Sequence, residues 1–585
     1  MTPKTDERPA DADVDRSRDL SQPLEVLIPD ETMKAKSDQL RGTIDISLID
    51  EITSAVAEDD TKLMKFFGIY QQDDRDIRDE RRRQKLEPAY SFMARLRIPG
   101  GVCTPEQWLK IDQTAREHCG ETMRLTTRQT FQFHYIFKTD LRPVLQKMRD
   151  VLLDSKGACG DGTRGVMASV NPSLSKLHAQ VYELAQQTSE HALHRTRAYD
   201  EIFLGEKRKK TDGPEEPFYG KQYMPRKFKI GFAIPPSNDI DVYSQDLGFI
   251  AVTSKGELQG FNVAIGGGLG RTDRAPETYP RLASVIGYIT VDQLFDTIDA
   301  VMGVQRDYGD RTNRAHARFK YTIDDKGLPW IKAEIERRLG AKLGRARKYT
   351  FTSNGDPLGW VTGEDGREHC TLFIENGRII NTPERPMMDG LRAIAEVHTG
   401  TFRMTPNQSL IISEIEPKDR PKIEALLQEY GLEPSTRAQS SALRLNSMAC
   451  VALPTCGLAM AESERYLPEL ITKIEGLLDN HGLTEEPITI RMTGCPNGCA
   501  RPYIAEIALT GRAPGKYNLY LGGGFHGERL NKMLLENVGE PAILEALDSA
   551  LGRYAEEREP GERFGDFAIR AGIVPEVTEG RFFND

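Results

Sequence analysis

Four cysteines near the C-terminus carry the clearest chemistry in this sequence. The segment NSMACVALPTCGLA sets five residues between Cys450 and Cys456, and MTGCPNGCARP sets three between Cys495 and Cys499. Thirty-eight residues separate the two pairs. Four thiolates can hold a [4Fe–4S] cluster or a zinc ion. Zinc ribbons favour two-residue gaps, so gaps of five and three fit zinc poorly. Pro and Gly around Cys495 and Cys499 suit a tight loop whose backbone N–H groups point at sulfur, which tunes a cluster. Four inert buried thiols are the plainer alternative, and their pairing in Gly/Pro loops argues against it. Cys103, Cys119, Cys159 and Cys370 are scattered and read as ordinary core or surface thiols.

The basic residues form a second set. Arg95 and Arg97 are two apart on a predicted strand, so both face one side. Arg124 and Arg128 are in phase on another predicted strand. Arg164 sits in the Gly-rich loop GACGDGTRGV, and Arg226, Lys227 and Lys229 form the run PRKFK. Each alone reads as a surface charge. Arginines inside an apolar pattern need anionic partners if buried, and a polycarboxylate ligand would supply them. His134, ending the run TFQFH, reads as a hydrogen-bonding group, because the cysteines already account for metal ligation. GGGLGR (266–271) lacks the following helix and acidic residue of a dinucleotide loop, and no FAD or NADPH site is evident.

Two duplications must position these residues. YSFMARLRIPGG (90–101) reads as a strand. A helix follows with Thr104 as N-cap, Pro105 at its first position and Gln107 completing a capping box, and it stops before Gly120. MRLTTRQTFQFHYIF (123–137) reads as a strand and RPVLQKMRDVLLD as a helix. The pattern returns as TLFIENGRII (371–380), a helix over 388–398, the strand TFRMTPNQSLIISEI (401–415) and a helix ending at Gly431. Arg124 matches Arg403, and Gln129 matches Gln408. Two such halves could share one sheet. Outside them, FKIGFAIPPSND and GFNVAIGGGLG resemble ITIRMTGCPNGC and KYNLYLGGGFHG. Only the later copy carries cysteines. A ligand held between pseudo-symmetric halves is the natural expectation.

The 585 residues suggest roughly three or four domains. A formal net charge of −10 argues against nucleic-acid binding. No apolar run approaches a membrane span, and the N-terminus lacks the apolar centre of a secretory signal, so a cytoplasmic protein with reduced thiols is expected. The polar, acidic start reads as a flexible arm, and the charged run 71–88 as a solvated face or loop.

RGTIDISL, FFGIYQQDDRDIR, RLTTRQTFQFH, MPRKFK, NDIDVYSQDLGFIA, TLFIENGR, the two cysteine motifs and FGDF carry a resemblance from about residue 40 to the end. The chain resembles the sulfite and nitrite reductase family, and within it the haemoprotein (beta) subunits of NADPH-dependent assimilatory enzymes. The resemblance implies an α+β, three-domain, pseudo-two-fold duplicated architecture with ferredoxin-like half-modules. Its blocks would be an N-terminal arm and possible partner tether (1–60), a first ferredoxin-like half (61–157), a cysteine-free sirohaem-side domain (158–357), a second half (358–435) and an iron–sulfur and sirohaem-binding domain (436–585). It implies a [4Fe–4S] cluster on Cys450, Cys456, Cys495 and Cys499, with Cys499 bridging to the sirohaem iron. Arg124, Arg128, Gln132, His134 and Arg226 would hold sirohaem carboxylates or the substrate side of the macrocycle. Arg95, Arg164, Lys227 and Lys229 would line the distal anion pocket. The family loop around the second pocket arginine reads Asn-Arg-Asn; here it is Thr163-Arg164-Gly165, a departure that bears on Arg164 alone.

The implied reaction is six-electron reduction of sulfite to sulfide in sulfate assimilation. Nitrite reduction is the rival on the same cofactors, and Lys229, where nitrite enzymes tend to carry asparagine, favours sulfite. A non-catalytic zinc-stapled scaffold is the alternative of another class. Electrons would come from a flavoprotein subunit carrying FAD and FMN, with ferredoxin as runner-up donor.

Overall fold

The polar turns TTRQT and TPNQS break what the sequence suggests are two long strands. Thr126 N–H donates to the Thr130 carbonyl at 2.9 Å, and Gln129 adopts φ +55°. The segment 123–137 is therefore a hairpin of two strands. The segment 401–415 folds the same way, with Gln408 at φ +70°. Consecutive polar residues remove the alternation that a strand needs and favour a turn. Arg128 thus lies in a turn and is not in phase with Arg124. Arg97 also departs from expectation: the strand ends at Arg95, and Arg97 turns away to Asp154, at 2.9 and 2.6 Å, and to Glu190.

This computed structural model describes residues 26–171, 173–208, 215–434 and 440–585. The first duplicated half supplies β1 (Ile69–Asp73), β2 (Tyr90–Arg95), β3 (Val102–Cys103), β4 (Met123–Leu125) and β5 (Phe131–Ile136). The cysteine-free domain follows with β6 (Met167–Ala168), β7 (Ile230–Ala233), β8 (Leu247–Ser254), β9 (Glu257–Ile265) and β10 (Ser284–Thr290). The second half supplies β11 (Gly359–Thr362), β12 (Glu368–Leu372), β13 (Arg378–Ile379), β14 (Thr401–Met404) and β15 (Leu410–Ile415). The last quarter supplies β16 (Ser447–Ala449), β17 (Ile490–Thr493), β18 (Ile507–Ala513), β19 (Lys516–Leu521) and β20 (Lys532–Val538).

The halves do not merge into one sheet. They form two, ordered β1-β2-β5-β4-β13 and β11-β12-β15-β14-β3, so each borrows its last strand from the other half. Trp108, on the capped helix Pro105–His118, stacks on Phe402 of the other half at 4.6 Å. The capping box expected there is present, with Gln107 N–H donating to Thr104 Oγ1 at 3.1 Å and Thr104 N–H to Gln107 Oε1 at 3.0 Å. The other two sheets repeat one topology, β10-β9-β8-β7-β6 and β16-β17-β18-β19-β20, each with two parallel and two antiparallel pairings. One continuous core runs through both halves and the cysteine-free domain, and the last quarter has its own.

The expected arm over 1–60 is folded from residue 29 onward; residues 1–25 lie outside the described residues. Helices Pro29–Lys36, Ile44–Ile49 and Glu58–Leu63 pack onto the body, with Leu40 and Ile44 fully buried. Glu31, itself buried, accepts from Lys34 at 2.5 Å and from Arg311 at 2.6 Å. Buried apolar positions and paired charges hold this segment where its acidic composition suggests solvent.

Asp241 and Arg501 occupy matching positions in the two repeats, each left-handed (φ 49° and 53°) and each opening a short 3-10 turn. They bond each other: Arg501 Nε donates to Asp241 Oδ2 at 2.5 Å, and Arg491 Nη1 adds a bond at 2.7 Å. The two guanidiniums, outweighing the cost of burial, hold the Asp241 carboxyl below its usual range. Its contribution to stability is thus present above the ordinary carboxylate pKa and is lost as pH falls through the lowered one. Asp241→Asn leaves two buried guanidiniums without a counter-charge. We expect a loss of about 3–5 kcal/mol, read as a lower denaturation midpoint at pH 7, with the gap to the parent protein closing as acid protonates Asp241.

Candidate active site

Strand ends and the turns between them bring the cysteines together. Cys450 follows β16 and Cys495 follows β17, adjacent parallel strands paired Ala449 to Met492. Gly494 N–H donates to Cys450 Sγ at 3.3 Å, joining the two motifs. No side chain fits at Gly494, where a Cβ would stand 2.5 Å from Ala452 Cβ and 2.6 Å from the Ala461 carbonyl oxygen. Asn497 Nδ2 approaches Cys495 Sγ at 3.5 Å. Arg75 clamps the loop of the second cysteine, donating to the Cys456 carbonyl at 3.1 Å and to the Ala459 carbonyl.

The four thiols sit in one electrostatic neighbourhood. Burial, then the charges of Cys499, Cys495 and Cys456, pushes the Cys450 thiol up. Burial and Cys499 push Cys495 up to about 12. Such a set favours deprotonation only around cationic metal. Among the described residues no three His, Cys, Asp or Glu side chains stand close enough to share a single metal ion.

Cys499 is exposed, and cations surround it. Burial pulls Arg95 down, but Cys159, Tyr70, Cys499 and Cys456 outweigh it and raise its pKa. Arg95 Nη1 donates to Cys159 Sγ at 2.9 Å, and with the Gln132 amide turned so that its oxygen faces the guanidinium, that oxygen accepts from Nη2 at 2.5 Å and Nε at 3.1 Å. Burial pushes Lys229 well below the ordinary lysine range; Arg128 and Arg318 push further, against Asp246 and Cys499. Burial also lowers Lys227, helped by Arg318, Arg226, Lys229 and Arg164. Arg128 is depressed to about 9 by burial, Arg164 and Arg501. Its Nη1 donates to Gln245 at 3.0 Å and its Nη2 to the Gly165 carbonyl at 2.5 Å. Arg164 is tied to the same loop, its Nε donating to the Gly160 carbonyl at 3.2 Å and its backbone N–H to the Phe228 carbonyl at 2.8 Å. Arg95, Arg128, Arg164, Arg226, Lys227 and Lys229 are therefore linked in one electrostatic field, which reaches Cys499 through Arg95 and Lys229.

Three of the expected residues are differently engaged. Arg124 is behind Cys450, bonded to Glu464 at 2.6 Å and to the Ala449 carbonyl at 2.8 Å. Arg226 stands 3.9 Å from Asp161, and burial and Arg314 draw its pKa down to about 10. His134 Nδ1 lies 3.2 Å from Gln72 Oε1, and burial with Arg378, Arg124 and Arg95 lowers its pKa well below the usual range, so the ring is neutral.

The matching family models are the "Nitrite/Sulfite reductase ferredoxin-like half domain", over residues 83–151 and 362–430, and the "Nitrite and sulphite reductase 4Fe-4S domain", over 189–343. A Nitrobacter winogradskyi protein named "Sulfite reductase [NADPH] hemoprotein beta-component" is 75% identical over 98% of this chain and 99% of its own length. The chain belongs to the nitrite and sulfite reductase family. An Anoxybacillus flavithermus protein of the same name is 57% identical over 95% of this chain and 97% of its own. The solved structure titled "Structure of Mycobacterium tuberculosis NirA protein" has the same fold, with TM-score 0.76 at 23% identity over 94% of this chain and 97% of that one. The segment matched by the 4Fe-4S model contains no cysteine; it is the earlier of the two repeats.

The candidate site also brings in residues that sequence reasoning passed over. Cys159, read as an ordinary thiol, stands against Arg95 and the hydroxyl of Tyr70, whose pKa burial and Cys159 raise to about 12. Asp246 is the counter-charge of the pocket, accepting from Arg318 Nη2 at 3.0 Å on both oxygens and from Lys229 N–H at 3.0 Å. Neither stands in a motif; only the fold brings them in. The residues fit a polyanionic cofactor: His134 Nε2 and Arg128 Nε are buried without a hydrogen-bond partner among the described residues, and such groups cost free energy unless a ligand meets them.

The fold builds a second cavity where the repeat places it. A cavity of about 770 Å³ is lined by Asp239, which aligns with Cys499, by Pro487, which aligns with Lys227, and by Ser169, Asn446 and Asp356. Among the described residues no cysteine or lysine lines it, and Arg563 stands there without a cluster of further cations. Only one of two equivalent places carries a sulfur set and a cationic wall.

The depressed lysines make a prediction. A bound oxyanion favours the charged form and raises their pKa, so sulfite binding draws protons onto these lysines. Calorimetry across buffers of different ionisation enthalpy should show fewer protons taken up, or more released, by Lys229→Gln than by the parent protein. The same proton count in both would contradict the pocket electrostatics.

Proposed function

We propose that this protein reduces sulfite to sulfide by six electrons, using sirohaem coupled to a [4Fe–4S] cluster, as the haemoprotein component of an NADPH-dependent sulfite reductase. The observation that carries this reading is the meeting of the exposed Cys499 with Arg95 and Lys229, a sulfur ligand facing fixed cations. Cys450, Cys456, Cys495 and Cys499 would hold the cluster, and the exposed Cys499 would present its sulfur on the sirohaem side. When bound, the cofactor pair supplies electrons at the sulfur of the substrate.

The chain's own residues bind, orient and protonate. Arg95, Arg164, Lys227 and Lys229 attract a small oxyanion and offset its charge in a water-poor site, where such interactions are strong. Arg128 and His134 offer buried donors to cofactor carboxylates. Gln132 holds the Arg95 guanidinium in place. Arg124, locked by Glu464, fixes the strand end that carries Cys450. As sulfite oxygens leave, protons must reach them, and lysines with lowered pKa release protons more readily than ordinary ones.

Electrons come from a flavoprotein subunit carrying FAD and FMN, in keeping with the "[NADPH] hemoprotein beta-component" name of the relatives; ferredoxin is the lesser alternative. Eight free cysteines suit the reducing cytoplasm, and among the described residues no helix is long and apolar enough to cross a membrane.

Two experiments test this. Cys450→Ser, Cys456→Ser and Cys495→Ser should each lose iron and acid-labile sulfide, and Cys499→Ser should also lose the magnetic coupling between haem and cluster. Zinc in the purified parent protein would refute the cluster. Lys227→Ala should keep both chromophores and lose about one to two decades of sulfite turnover, the worth of a charge-assisted hydrogen bond of roughly 1.5–3 kcal/mol. Lys229→Asn should shift the sulfite-to-nitrite rate ratio toward nitrite; an unchanged ratio would remove Lys229 from substrate choice.

A further inference from the structure

Residues 222–229 carry Arg226, Lys227 and Lys229 but lie outside any strand or helix. Gln222, Tyr223, Met224 and Pro225 are buried, so their carbonyls must find donors elsewhere. Three cations take them one after another. Arg311, in the loop after the helix Leu294–Tyr308, donates from Nη1 to the Gln222 carbonyl at 3.4 Å and from Nη2 to the Tyr223 carbonyl at 2.7 Å. Lys34 Nζ, on the helix Pro29–Lys36, donates to the Met224 carbonyl at 2.9 Å. Arg314 Nη1 donates to the Pro225 carbonyl at 3.1 Å. Tyr223 is held left-handed at φ 54°, a conformation that tyrosine rarely adopts unaided.

Two buried carboxylates balance these cations. Glu31 accepts from Lys34 and Arg311. Asp161 accepts from Arg314 through both oxygens, at 2.6 and 2.9 Å, with Lys34 at 3.6 Å and Arg226 at 3.9 Å. Asp30 stands farther out, 3.9 Å from Arg314. Against the cost of burial, Arg314, Lys34 and Arg226 hold the Asp161 carboxyl below its usual range, so it is a fixed charge and not a proton carrier. The Asp161 backbone adds register. Met224 N–H donates to the Asp161 carbonyl at 3.0 Å, Phe228 N–H to the Gly162 carbonyl at 2.9 Å, and Arg164 N–H to the Phe228 carbonyl at 2.8 Å. These bonds lay the loop that carries Arg164 beside the run that carries Lys227.

We propose that Lys34, Arg311 and Arg314, with Glu31 and Asp161, are positioning residues of the anion pocket: they rack the four carbonyls ahead of Arg226 and so set Lys227 and Lys229 against Arg164. The proposal deepens the sulfite reductase reading and rests on it, since a bound anion is what gives this register a task. Arg226 and Lys229 both push down the pKa of Lys227, so the run repels itself and would spread if its backbone were free. Buried ion clusters add little stability over apolar packing of the same volume. An apolar lining, however, would leave four carbonyls without donors. The cluster therefore serves placement, which a cation must have to within a fraction of an ångström to meet a small oxyanion. The helix Pro29–Lys36, acidic in composition, is by this account the outer support of the pocket wall.

The test uses cofactor-loaded protein with reduced methyl viologen as donor, so that no partner protein is needed. Lys34→Met and Arg314→Gln should each raise the sulfite KM by about tenfold, within the range expected when a reacting group is held out of line. The change in kcat should be smaller, with haem absorption and iron content at the parent level. Arg314→Lys, which keeps the charge and loses the fork, should fall between. The Arg314 side chain is 34% exposed, so its replacement tests the rack even if Lys34→Met does not fold. Arg41→Gln is the control for a purely structural role. It removes the pairs with Glu201 at 2.7 Å and Glu215 at 2.9 Å in the same N-terminal region, and should lower the denaturation midpoint while leaving KM unchanged. A parent-like KM in both Lys34→Met and Arg314→Gln, or an equal rise in Arg41→Gln, would overturn the proposal. A parent protein that reduces nitrite but not sulfite would instead overturn the sulfite reading, and the same comparison made with nitrite would then decide the rack.

Discussion

The bond between Arg501 and Asp241 is the constraint on which the site depends. It joins equivalent points of the two repeats, and Arg501 extends it to both ferredoxin-like halves. Its Nη1 donates to the Thr127 carbonyl at 2.7 Å and its Nη2 to the Pro406 carbonyl at 2.9 Å, at matching turns of the two hairpins. Two residues earlier, the Cys499 carbonyl accepts from Thr127 Oγ1 at 3.0 Å. One buried guanidinium thus fixes where Cys499 stands relative to three other parts of the chain. Burying that charge is costly, and its three acceptors offset the cost only while all parts are in place. The site is therefore assembled together or not at all.

Around this centre the chain accumulates cations that it does not neutralise. Asp246 answers Arg318, and Asp161 answers Arg314 at 2.6 Å, yet among the described residues the side chains of Lys227 and Lys229 form no ion pair, and Asp246 offsets the charge of Lys229 only in part. Buried like charges destabilise a fold. The protein accepts that strain on one side of its pseudo-axis and avoids it on the other, where Pro487 and Asp239 stand at the aligned positions. The same backbone thus gives one reactive pocket and one quiet cavity, and the difference lies in side-chain charge.

Much of this was legible in the sequence because it rests on local rules. Thr104, Pro105 and Gln107 announce a helix start by hydrogen-bond chemistry alone, and two cysteine pairs in Gly/Pro loops announce a metal centre by spacing. The repeat placed the quarters in order. What was not legible depends on contacts between distant segments. A period-two pattern continued through TTRQT and put Arg128 in phase with Arg124, because nothing in the alternation marks a tight turn among strand formers. Arg124 looks like a ligand-facing arginine until Glu464, 340 residues later, is beside it. Cys159 and Asp246 carry no motif, and Arg501 follows the cysteine as an ordinary basic residue. The acidic N-terminal composition suggested solvent, whereas Leu40 and Ile44 decide the matter by burial.

The exchange of β3 and β13 between sheets has a consequence in time. The ribosome releases β4 long before β13, some 250 residues later in the chain. At about 5–20 residues per second the first sheet waits roughly 13–50 s for its last strand. During that interval β4 is an open edge, the kind of surface that pairs with the wrong chain. The second sheet has no such wait, since β3 is already made when β14 appears. Nascent protein is therefore most vulnerable to misassembly at one edge and in one window, which closes when Arg378 and Ile379 arrive and long before the last cysteine is made.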